Sequence, residues 1–450
     1  MSAARITERP ARILVIGGSY AGLSVALNLL DLCNGLPSRF TGNNSPLIPS
    51  QRVPVEITIV DERDGFYHLI GSPLAFASSE YALKAWTLFQ DIPALQTSAV
   101  KFVRGSISDL DCEERLATII EHGTQQSVHI EYDYFVAASG LRRAAPSAPQ
   151  ALSRKQYLLE TAEHIRAAEA AKDGVIVVGA GAVGIEMAAE LKLLLPKIKV
   201  TLIHSRSRIL SSEPLPDEFK DLALKLVHEA GVKTILDVRV IETIESKTSD
   251  SAPFEVLLSD GRRIKAGLVI NAVSKFHPTA SYLPPRALDP EGYVKIKPSL
   301  QFNSDIPNAF YHHAAGDIVS WSGIKRCGTA MHQGQYAAIN IHKKILAQIC
   351  GITPTYKELA FDVPPMMGLA VGKKAASCGP PDHTVTAGED VMQLFFGNDL
   401  ALTICWNYMR LGDAPFKVEP LSTSVDGEDT KVDTLSSQRA NLYMKRLSVR

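Results

Sequence analysis

The sequence predicts an α/β fold in which one type of domain occurs twice and a smaller α+β domain follows. Three observations lead to this prediction. A strand, a glycine-rich turn and a helix follow one another at two places, further strands come after each copy in the same order, and the composition changes from Phe361 onward. The length of 450 residues leaves room for two to four structural units at about 150 residues each.

The two copies begin with apolar, β-forming residues that run into a glycine turn. The first copy is RILVIGGSYAGLSVALNLL, residues 12–30, and the second is VIVVGAGAVGIEMAAELKLLL, residues 175–195. Each copy continues with a second strand and then a strand–turn–strand pattern, at 55–62 and 116–140 in the first and at 199–205 and 254–274 in the second. The spacing between the copies is far too long for a solenoid repeat, so we expect two domains.

The second glycine turn is a complete G-x-G-x-x-G between a strand and a helix. Gly179 permits the tight turn, Gly181 lets the backbone approach a pyrophosphate, and Gly184 allows close packing of helix on strand. The free N–H groups at the helix start favour an anion there. In this context the motif predicts a Rossmann-like domain that binds a dinucleotide, rather than a turn that only packs.

The first glycine turn departs from the pattern at its second glycine, where Ser19 stands. The turn comprises Gly17, Gly18, Ser19, Tyr20, Ala21 and Gly22. The serine is small, and its hydroxyl can donate to a phosphate. The alternative is a turn that merely packs. The acid expected about 20 residues later is displaced by a Pro-, Gly- and Asn-rich surface insertion at 33–51, so we expect Asp61, or alternatively Glu62, to hold ribose hydroxyls.

The second copy has no acid at the corresponding place. Its strand ends in His204, followed by Ser205, Arg206 and Arg208, and the nearest acid downstream is Glu213. Arginine accommodates a 2′-phosphate, whereas an acid would repel it. The pattern therefore favours NADPH, or the use of both nicotinamide coenzymes. A solvated basic loop is the alternative interpretation.

Two dinucleotide domains in one chain suggest one tightly held and one exchanging nucleotide. The natural pair is FAD with NADPH or NADH, because flavins accept hydride from nicotinamides. A later segment, FYHHAAGDIVS at 310–320, ends an apolar run on Gly316 and Asp317. An aspartate after such a strand can accept hydrogen bonds from the ribityl hydroxyls of a flavin.

These motifs resemble the pyridine-nucleotide-disulphide-reductase superfamily, and more closely its apoptosis-inducing-factor-like branch, the AMID or ferroptosis-suppressor family, which is related to type II NADH dehydrogenases. The resemblance covers roughly residues 12–412 and is strongest at 175–205, with DGFYHLIGSPLAFAS, YFVAASG, AAGDIVS and NYMR as further matching segments. It implies that residues 17–21 form the FAD phosphate loop. It also implies that Val103 contacts adenine through its backbone.

The resemblance assigns further site residues. Ser139 and Gly140 match the flavin turn of the family, with serine in place of threonine, and Asp317 would hold the ribityl chain. Glu186 matches an acid near the nicotinamide, with a helix-dipole partner as the alternative role. The sequence departs from the family at Ser19 and at INAVS, 270–274, changes that can alter flavin affinity or the electron acceptor.

The expected organisation is an FAD domain in two pieces with a second domain inserted between them. The boundaries are 1–170 for the first FAD-binding part, 171–290 for the NAD(P)H-binding domain, 291–360 for the second FAD-binding part, and 361–450 for the C-terminal domain and tail. The tail at 422–438 is polar, and the segment after it mixes basic and apolar residues.

For several other side chains we expect an ordinary packing role first. His68 and one of two neighbouring histidines are candidates for positions beside the flavin, and two lysines are candidates for lining a quinone entrance, although a solvated face is the default for them. No metal site is expected, because no carboxylate cluster or zinc-like spacing accompanies the histidines. The residues in question are His68, His312, His313, Trp321, Trp406, Lys373 and Lys374.

Composition excludes several classes of protein. The 47 basic and 48 acidic residues give a formal charge of -1, so no electrostatic case exists for nucleic acid as a partner. The six cysteines contain no C-x-x-C pair and indicate reduced core thiols without a sequence-adjacent dithiol.

The residues at the two ends of the chain carry information about where in the cell we expect the protein to be. The N-terminus lacks the apolar region of a secretory signal, and its arginines, interrupted by Glu8, make mitochondrial targeting the weaker alternative. Position 2 is Ser2, which excludes myristoylation. No apolar run is long enough to cross a bilayer. We therefore expect a cytoplasmic protein, with weak contact to a membrane surface through residues 438–450 as an open alternative.

The leading functional hypothesis is an FAD-dependent NAD(P)H oxidoreductase that reduces a quinone or similar small molecule. No side chain is expected to be an essential acid or base, because the flavin carries the chemistry. One alternative is a flavin-dependent oxidase or tailoring enzyme acting on a small metabolite. Another is a redox-sensing death-effector protein. The oligomeric state stays open.

Overall fold

The computed structural model describes residues 9–40, 52–245, 253–273, 276–321, 324–350, 358–362, 366–379 and 384–415. The insertion predicted at 33–51 is thus described only up to residue 40. The N-terminal segment, the polar tail at 422–438 and the basic segment at 438–450 lie outside the described residues.

The described chain is a mixed α/β structure, as predicted. Its strands are β1 (Ala11–Ile16), β2 (Val55–Asp61), β3 (Gly65–Tyr67), β4 (Trp86–Leu88), β5 (Val100–Asp111), β6 (Leu116–Glu121), β7 (Ser127–Glu131), β8 (Tyr134–Ala137), β9 (Leu141–Arg142), β10 (Val175–Val178), β11 (Val200–Ile203), β12 (Lys233–Ile235), β13 (Val240–Glu245), β14 (Phe254–Leu258), β15 (Arg263–Ala266), β16 (Leu268–Asn271), β17 (His277–Pro278), β18 (His312–Ala314), β19 (Met367–Val371), β20 (Lys374–Cys378) and β21 (Val385–Gly388). Its α-helices are α1 (Tyr20–Cys33), α2 (Ser72–Ala75), α3 (Ser79–Lys84), α4 (Arg154–Ala170), α5 (Ala182–Leu194), α6 (Asp217–Glu229), α7 (Cys327–Cys350), α8 (Glu389–Phe395) and α9 (Leu402–Tyr408).

The largest sheet has the strand order β18-β8-β1-β2-β5-β6-β7. Strands β18, β8, β1, β2 and β5 are parallel, and β6 and β7 extend the sheet antiparallel. The central strand β1 is buried along almost its whole length, as expected for a parallel strand covered on both faces, whereas β7 alternates between exposed and half-buried residues at the edge. Because β18 pairs with β8, the chain returns to this sheet after a long excursion.

That excursion contains the second sheet, of order β12-β11-β10-β16, in which all strands are parallel. Strands β13, β14 and β15 form an antiparallel sheet beside it. In the C-terminal part, β19, β20 and β21 form another antiparallel sheet, which packs against α6 and α8. Each glycine turn follows the central parallel strand of its sheet, so both turns lie at carboxyl edges, where open α/β sheets bind ligands.

Helix α1 is buried at every residue because α7 covers the face that the large sheet leaves open. The two helices approach closely at Gly334, where an added Cβ would lie 2.5 Å from the carbonyl oxygen of Ala21. The Ser24 hydroxyl donates a hydrogen bond of 2.6 Å to the carbonyl oxygen of Met331 in the same crossing. This contact sets the position of α7 relative to the first glycine turn.

The start of the predicted surface insertion is anchored rather than free. The Arg39 guanidinium is nearly fully buried, pairs with Asp31 at 2.9 Å and donates 3.0 Å to the carbonyl oxygen of Met409. The insertion therefore ties α1 to the C-terminal part of the chain, a long-range pairing that its turn-rich composition does not indicate.

None of the helices in the described ranges combines the length and apolar character needed to cross a bilayer.

We predict that Gly334→Ala destabilises the protein by about 1–3 kcal/mol, because the added methyl group overpacks the crossing of α7 on α1. Gly328→Ala is the matched control, since it lies in the same helix and its Cβ would meet no atom within 4 Å. Alanine there is expected to be neutral or slightly stabilising. Denaturant unfolding of both variants checks this, and equal stabilities would contradict the role given to Gly334.

Candidate functional site

Both glycine turns face one cavity of about 1470 Å³. Its walls come from the large sheet, from the inserted sheet and from the C-terminal helices, so it lies where the three parts of the chain meet. A cavity of this size exceeds the range of about 300–1,000 Å³ typical of drug-sized ligands. It has room for more than one extended ligand.

The first glycine turn is shaped by close backbone approaches. Gly17 has φ of +111°, and an added Cβ would lie 2.3 Å from the carbonyl oxygen of Ala138. A Cβ on Gly22 would lie 1.7 Å from the carbonyl oxygen of Gly17, so the third glycine packs helix on strand. Ser19 is the N-cap of α1, lines the cavity and makes no capping hydrogen bond, and no acid occupies the first turn of the helix. A diphosphate fits this helix start, as predicted for FAD.

Asp61 supports the same turn from the end of β2. Its carboxylate accepts hydrogen bonds from the backbone N–H of Gly18 at 2.6 Å and of Arg63 at 2.8 Å, while burial raises its pKa. The neighbouring Glu62 pairs with Arg142 instead. Both acids line the cavity, and of the two alternatives for a ribose ligand it is Asp61 that contacts the loop.

The second part of the predicted flavin site also lies at this cavity. Gly316 has φ of +86°, and its N–H donates to the side-chain oxygen of Gln333 in α7 at 2.7 Å. The Asp317 carboxylate pairs with Arg143 at 2.8 Å, and the Lys325 ammonium donates to the Asp317 carbonyl oxygen at 2.8 Å. Sequence reasoning missed these three partners. Gln333, Arg143 and Lys325 belong to no recognisable motif, and each is either far from Asp317 along the chain or in a loop.

Ser139 and Gly140 follow β8 at the same edge. Gly140 has φ of +75°, and the Ser139 hydroxyl donates to the carbonyl oxygen of Thr279 at 2.9 Å. This hydrogen bond fastens the turn to the segment that leads out of the inserted domain. The serine that replaces the family's threonine thus keeps a hydroxyl function in the turn.

The second glycine turn has the geometry that its motif predicts. Gly179 has φ of +104°, a Cβ on Gly184 would lie 1.9 Å from the Gly179 carbonyl oxygen, and a Cβ on Gly181 would meet nothing within 4 Å. The open side of Gly181 therefore faces space for a ligand. His204 braces the turn, because its Nδ1 accepts the Ala180 N–H at 3.2 Å. A dinucleotide fits this turn as well.

Glu186 lines the cavity below the second turn. Its carboxyl accepts from the backbone N–H of Ala370 in β19 at 3.3 Å, and burial raises its pKa to about 8. Burial likewise raises the pKa of Glu190, one turn further along α5, to about 7. Glu186 lies beyond the first turn of α5, the region in which a helix dipole acts most strongly on a charge.

The two arginines of the second copy differ from each other. Contrary to the expectation that no acid neutralises them, Arg208 pairs with Asp217 at 2.6 Å and with Asp221 at 3.2 Å, because the start of α6 folds back onto this loop. Arg206 is exposed. Neither arginine lines the cavity, which His204 reaches two residues earlier.

Several other candidates are packing or surface residues. His68 is buried, with its Nδ1 bonded to the Tyr20 hydroxyl at 3.1 Å and its Nε2 to the Leu400 carbonyl oxygen at 2.8 Å, and burial lowers its pKa to about 4. Val103 lies in a hydrophobic cluster, and β5 lines the cavity at Gly105, Ser106 and Ile107 instead.

The remaining candidates also lie away from the cavity. The two lysines considered for a quinone entrance do not line the cavity. Lys373 is exposed and Lys374 pairs with Glu229 at 2.9 Å, which agrees with their default interpretation as a solvated face. Both histidines before Gly316 are buried in hydrogen-bonded surroundings, and both tryptophans pack in the core, as their ordinary interpretation expected. These residues are His312, His313, Trp321 and Trp406.

The C-terminal part supplies the apolar wall of the cavity. The apolar side chains are Met366, Met367, Leu394, Phe395, Phe396 and Ile404. Cys327 and Cys405 also line the cavity; Cys405 belongs to a hydrophobic cluster and Cys327 packs against it.

We predict that Glu186→Gln stabilises the protein increasingly as the pH rises. The folded-state pKa of Glu186 is about 8, above the ordinary value of 4.5, so between these values the folded state holds a proton that the unfolded state lacks. Stability is therefore lost with rising pH, by at most about 1.4 kcal/mol per pH unit. Denaturant unfolding at pH 5 and pH 8 measures the difference. Glu169→Gln, at an exposed position of α4, is the control. A pH-independent effect of Glu186→Gln would count against a buried neutral carboxyl.

Comparison with known proteins agrees with this geometry. The family model described as pyridine nucleotide-disulphide oxidoreductase matches residues 13–334. Oxidoreductase OXR1 of Ajellomyces capsulatus is 54% identical over 416 residues, which cover 91% of this chain and 89% of that protein. Ferroptosis suppressor protein 1 of Mus musculus is 24% identical, over 57% of this chain and 61% of that protein.

The structure of NDH2 from Plasmodium falciparum has the same fold, with a TM-score of 0.62 at 12% identity, covering 90% of this chain and 98% of that one. The match to the family model and the identity with OXR1 are decisive, since they span most of the chain. The chain belongs to the pyridine nucleotide-disulphide oxidoreductase family, and it is an NAD(P)H-dependent FAD oxidoreductase.

Proposed function

We propose that the electron acceptor of this oxidoreductase is a hydrophobic quinone that reaches the cavity between α8 and α9. The observation that supports this proposal is the apolar rim of the cavity. Leu394 on α8 is 50% exposed and Ile404 on α9 is 37% exposed, and both line the cavity together with buried aromatic neighbours. Exposed apolar side chains at a cavity mouth are typical of sites for apolar ligands.

When bound, FAD supplies the centre that takes two electrons from NAD(P)H and passes them to the acceptor. The residues of the chain hold and orient the two nucleotides. The N-terminus of α1 with Ser19 is suited to the FAD diphosphate, Asp61 to its ribose and Asp317 to its ribityl chain. The turn around Gly181 is suited to the diphosphate of the coenzyme.

The charges around the cavity are compatible with a neutral acceptor. Asp317 is paired with Arg143, and Glu186 carries a proton at neutral pH because its pKa is about 8. Neither group then presents an uncompensated negative charge to an apolar ring. The reduction of a quinone to a quinol takes up a hydride equivalent and one further proton, which solvent at the open mouth can supply.

A quinone series tests the acceptor. We expect quinones with an apolar tail to be reduced with a lower KM than tail-less ones, and Leu394→Ser to raise the KM for the tailed quinone about tenfold, from a loss of roughly 1.5 kcal/mol of apolar burial. Turnover of ferricyanide, a small hydrophilic acceptor, should change little. Leu83→Ser is the matched control, since Leu83 is 53% exposed and lies outside the cavity. Oxygen consumption as fast as quinone reduction would favour the oxidase alternative instead.

We also propose that NADPH is used at least as well as NADH, because Arg206 is exposed two residues beyond His204, at the edge of the coenzyme site. Arg206→Ala is expected to raise the KM for NADPH about two- to fivefold, corresponding to roughly 0.5–1 kcal/mol, and to leave the KM for NADH nearly unchanged. The effect should shrink at high salt. Arg208→Ala is the comparison, with a smaller effect because two aspartates already neutralise that arginine. If the wild-type protein strongly prefers NADH, and Arg206→Ala does not change the ratio of the KM values for NADPH and NADH, this proposal is wrong.

A further inference from the structure

Helix α9 forms part of the cavity wall, and the backbone is strained at both of its ends. Leu400 and Ala401, directly before the helix, have φ of +47° and +68°, and Arg410, two residues after it, has φ of +52°. Left-handed backbone is uncommon at residues other than glycine and persists only where other contacts hold it. Ala401 and several residues of α9 line the cavity. The contacts that hold the two ends of α9 therefore set the shape of this wall.

A chain of two hydrogen bonds joins the start of α9 to the start of α1. His68 lies between them, with Nε2 at 2.8 Å from the Leu400 carbonyl oxygen and Nδ1 at 3.1 Å from the Tyr20 hydroxyl. Because a carbonyl oxygen only accepts, Nε2 carries the hydrogen. Because burial lowers the pKa of His68 to about 4, the ring is neutral and Nδ1 accepts. The Tyr20 hydroxyl therefore donates to His68, and His68 donates to Leu400.

The end of α9 is fastened to the same helix α1. The Arg39 guanidinium donates to the carbonyl oxygens of Met409 at 3.0 Å and of Arg410 at 2.9 Å. The same guanidinium pairs with Asp31, in the last turn of α1. Helix α9 is thus held to both ends of one helix, and that helix begins at the first glycine turn. A shift at the start of α1 is felt at the start of α9.

Tyr20 is the first residue of α1, directly after the N-cap Ser19, and it lines the cavity. The N–H groups at a helix start have no acceptor within the helix, and Ser19 makes no side-chain capping bond to them. A diphosphate at this turn accepts hydrogen bonds from these groups and so holds the first turn of the helix. The position of the Tyr20 hydroxyl therefore depends on whether the turn is occupied.

We propose that the hydrogen-bonded chain from Tyr20 through His68 to Leu400 couples the binding of FAD at the first glycine turn to the ordering of α9, with His68 as a positioning residue. The acceptor side of the cavity is then completed after the flavin site is filled. The coupling is reciprocal, so an ordered α9 also helps to retain FAD. This inference goes beyond the proposed function, because it rests on the FAD site and not on the identity of the acceptor.

Tyr81 offers a matched control. Its hydroxyl, on α3, donates at 2.8 Å to the carbonyl oxygen of Asp399, the residue before Leu400. Tyr81 does not line the cavity. Tyr81→Phe therefore removes one hydrogen bond from the start of α9, as Tyr20→Phe removes one from the chain, but it leaves the connection between the flavin turn and α9 in place.

The first test measures hydrogen–deuterium exchange of the peptide 399–411 in the full chain, with FAD bound and after FAD is stripped. We expect exchange to be about two- to tenfold slower with FAD, the range that one hydrogen bond provides. In Tyr20→Phe and in His68→Phe, at saturating FAD with loading checked by absorbance, this difference should vanish. Tyr81→Phe should exchange faster with and without FAD and keep the difference.

Two outcomes of this test would overturn the proposal. One is equal exchange of the wild-type peptide with and without FAD. The other is a flavin effect that persists in Tyr20→Phe, because it would show that FAD protects α9 by direct contact. A peptide from α6, in the inserted domain, shows whether the stripped protein is folded. If that peptide also exchanges faster, the second test decides, since it needs no stripped protein.

The second test measures the rate of FAD release from the diluted holoprotein by flavin fluorescence. Tyr20→Phe and His68→Phe should each speed release about two- to tenfold, and the double variant should be no faster than the faster single variant, because both changes break the same chain. Tyr81→Phe should speed release in the wild-type background but not in the Tyr20→Phe background. Additive effects of Tyr20→Phe and His68→Phe would refute the coupling. Quinone turnover enters neither test, so failure of the quinone proposal leaves both results readable.

Discussion

The packing of α7 on α1 is the contact on which the rest of the site depends. Gly334 allows the two helices to approach until a methyl group would no longer fit, and the hydrogen bond from Ser24 to the Met331 carbonyl oxygen holds that approach. From this crossing, Gln333 reaches the Gly316 N–H and so fixes the turn that presents Asp317. The same crossing carries the start of α7 to the cavity. A helix far along the chain thereby completes a site that begins at the first glycine turn.

Three acidic side chains of the cavity are compensated or kept neutral by the protein itself. Asp61 accepts two backbone N–H groups, Asp317 is paired with Arg143, and Glu186 stays protonated at neutral pH because burial raises its pKa to about 8. Uncompensated acids would oppose the phosphates of both nucleotides and would be costly to bury. The cavity therefore combines helix N-termini for diphosphates with an apolar wall from the C-terminal part, and its lining also includes the basic residues Arg63, Lys325 and Arg326.

The C-terminal part of the chain contributes residues to the cavity as well as closing one side of it. It supplies the backbone N–H that Glu186 binds, the apolar mouth formed with Leu394 and Ile404, and the thiol of Cys405. The nucleotide turns belong to the other two parts. Under the function proposed above, this division assigns nucleotide binding to the two parallel sheets and contact with the acceptor to the C-terminal helices. The acceptor site can then differ while the nucleotide sites stay the same.

The sequence by itself determined the α/β class, the repeated strand–turn–helix unit, both glycine turns and the pairing of FAD with NAD(P)H. These features depend on residues close together in the chain, because a turn that only glycine permits and a helix start with free N–H groups are local properties. Only the tertiary structure decided that Arg208 is neutralised by α6, that Arg143 pairs with Asp317, and that β5 reaches the cavity beyond Val103. Each of these features depends on how separate elements pack against one another. That packing sets the direction of a side chain across the interface, and the spacing of residues along the chain does not encode it.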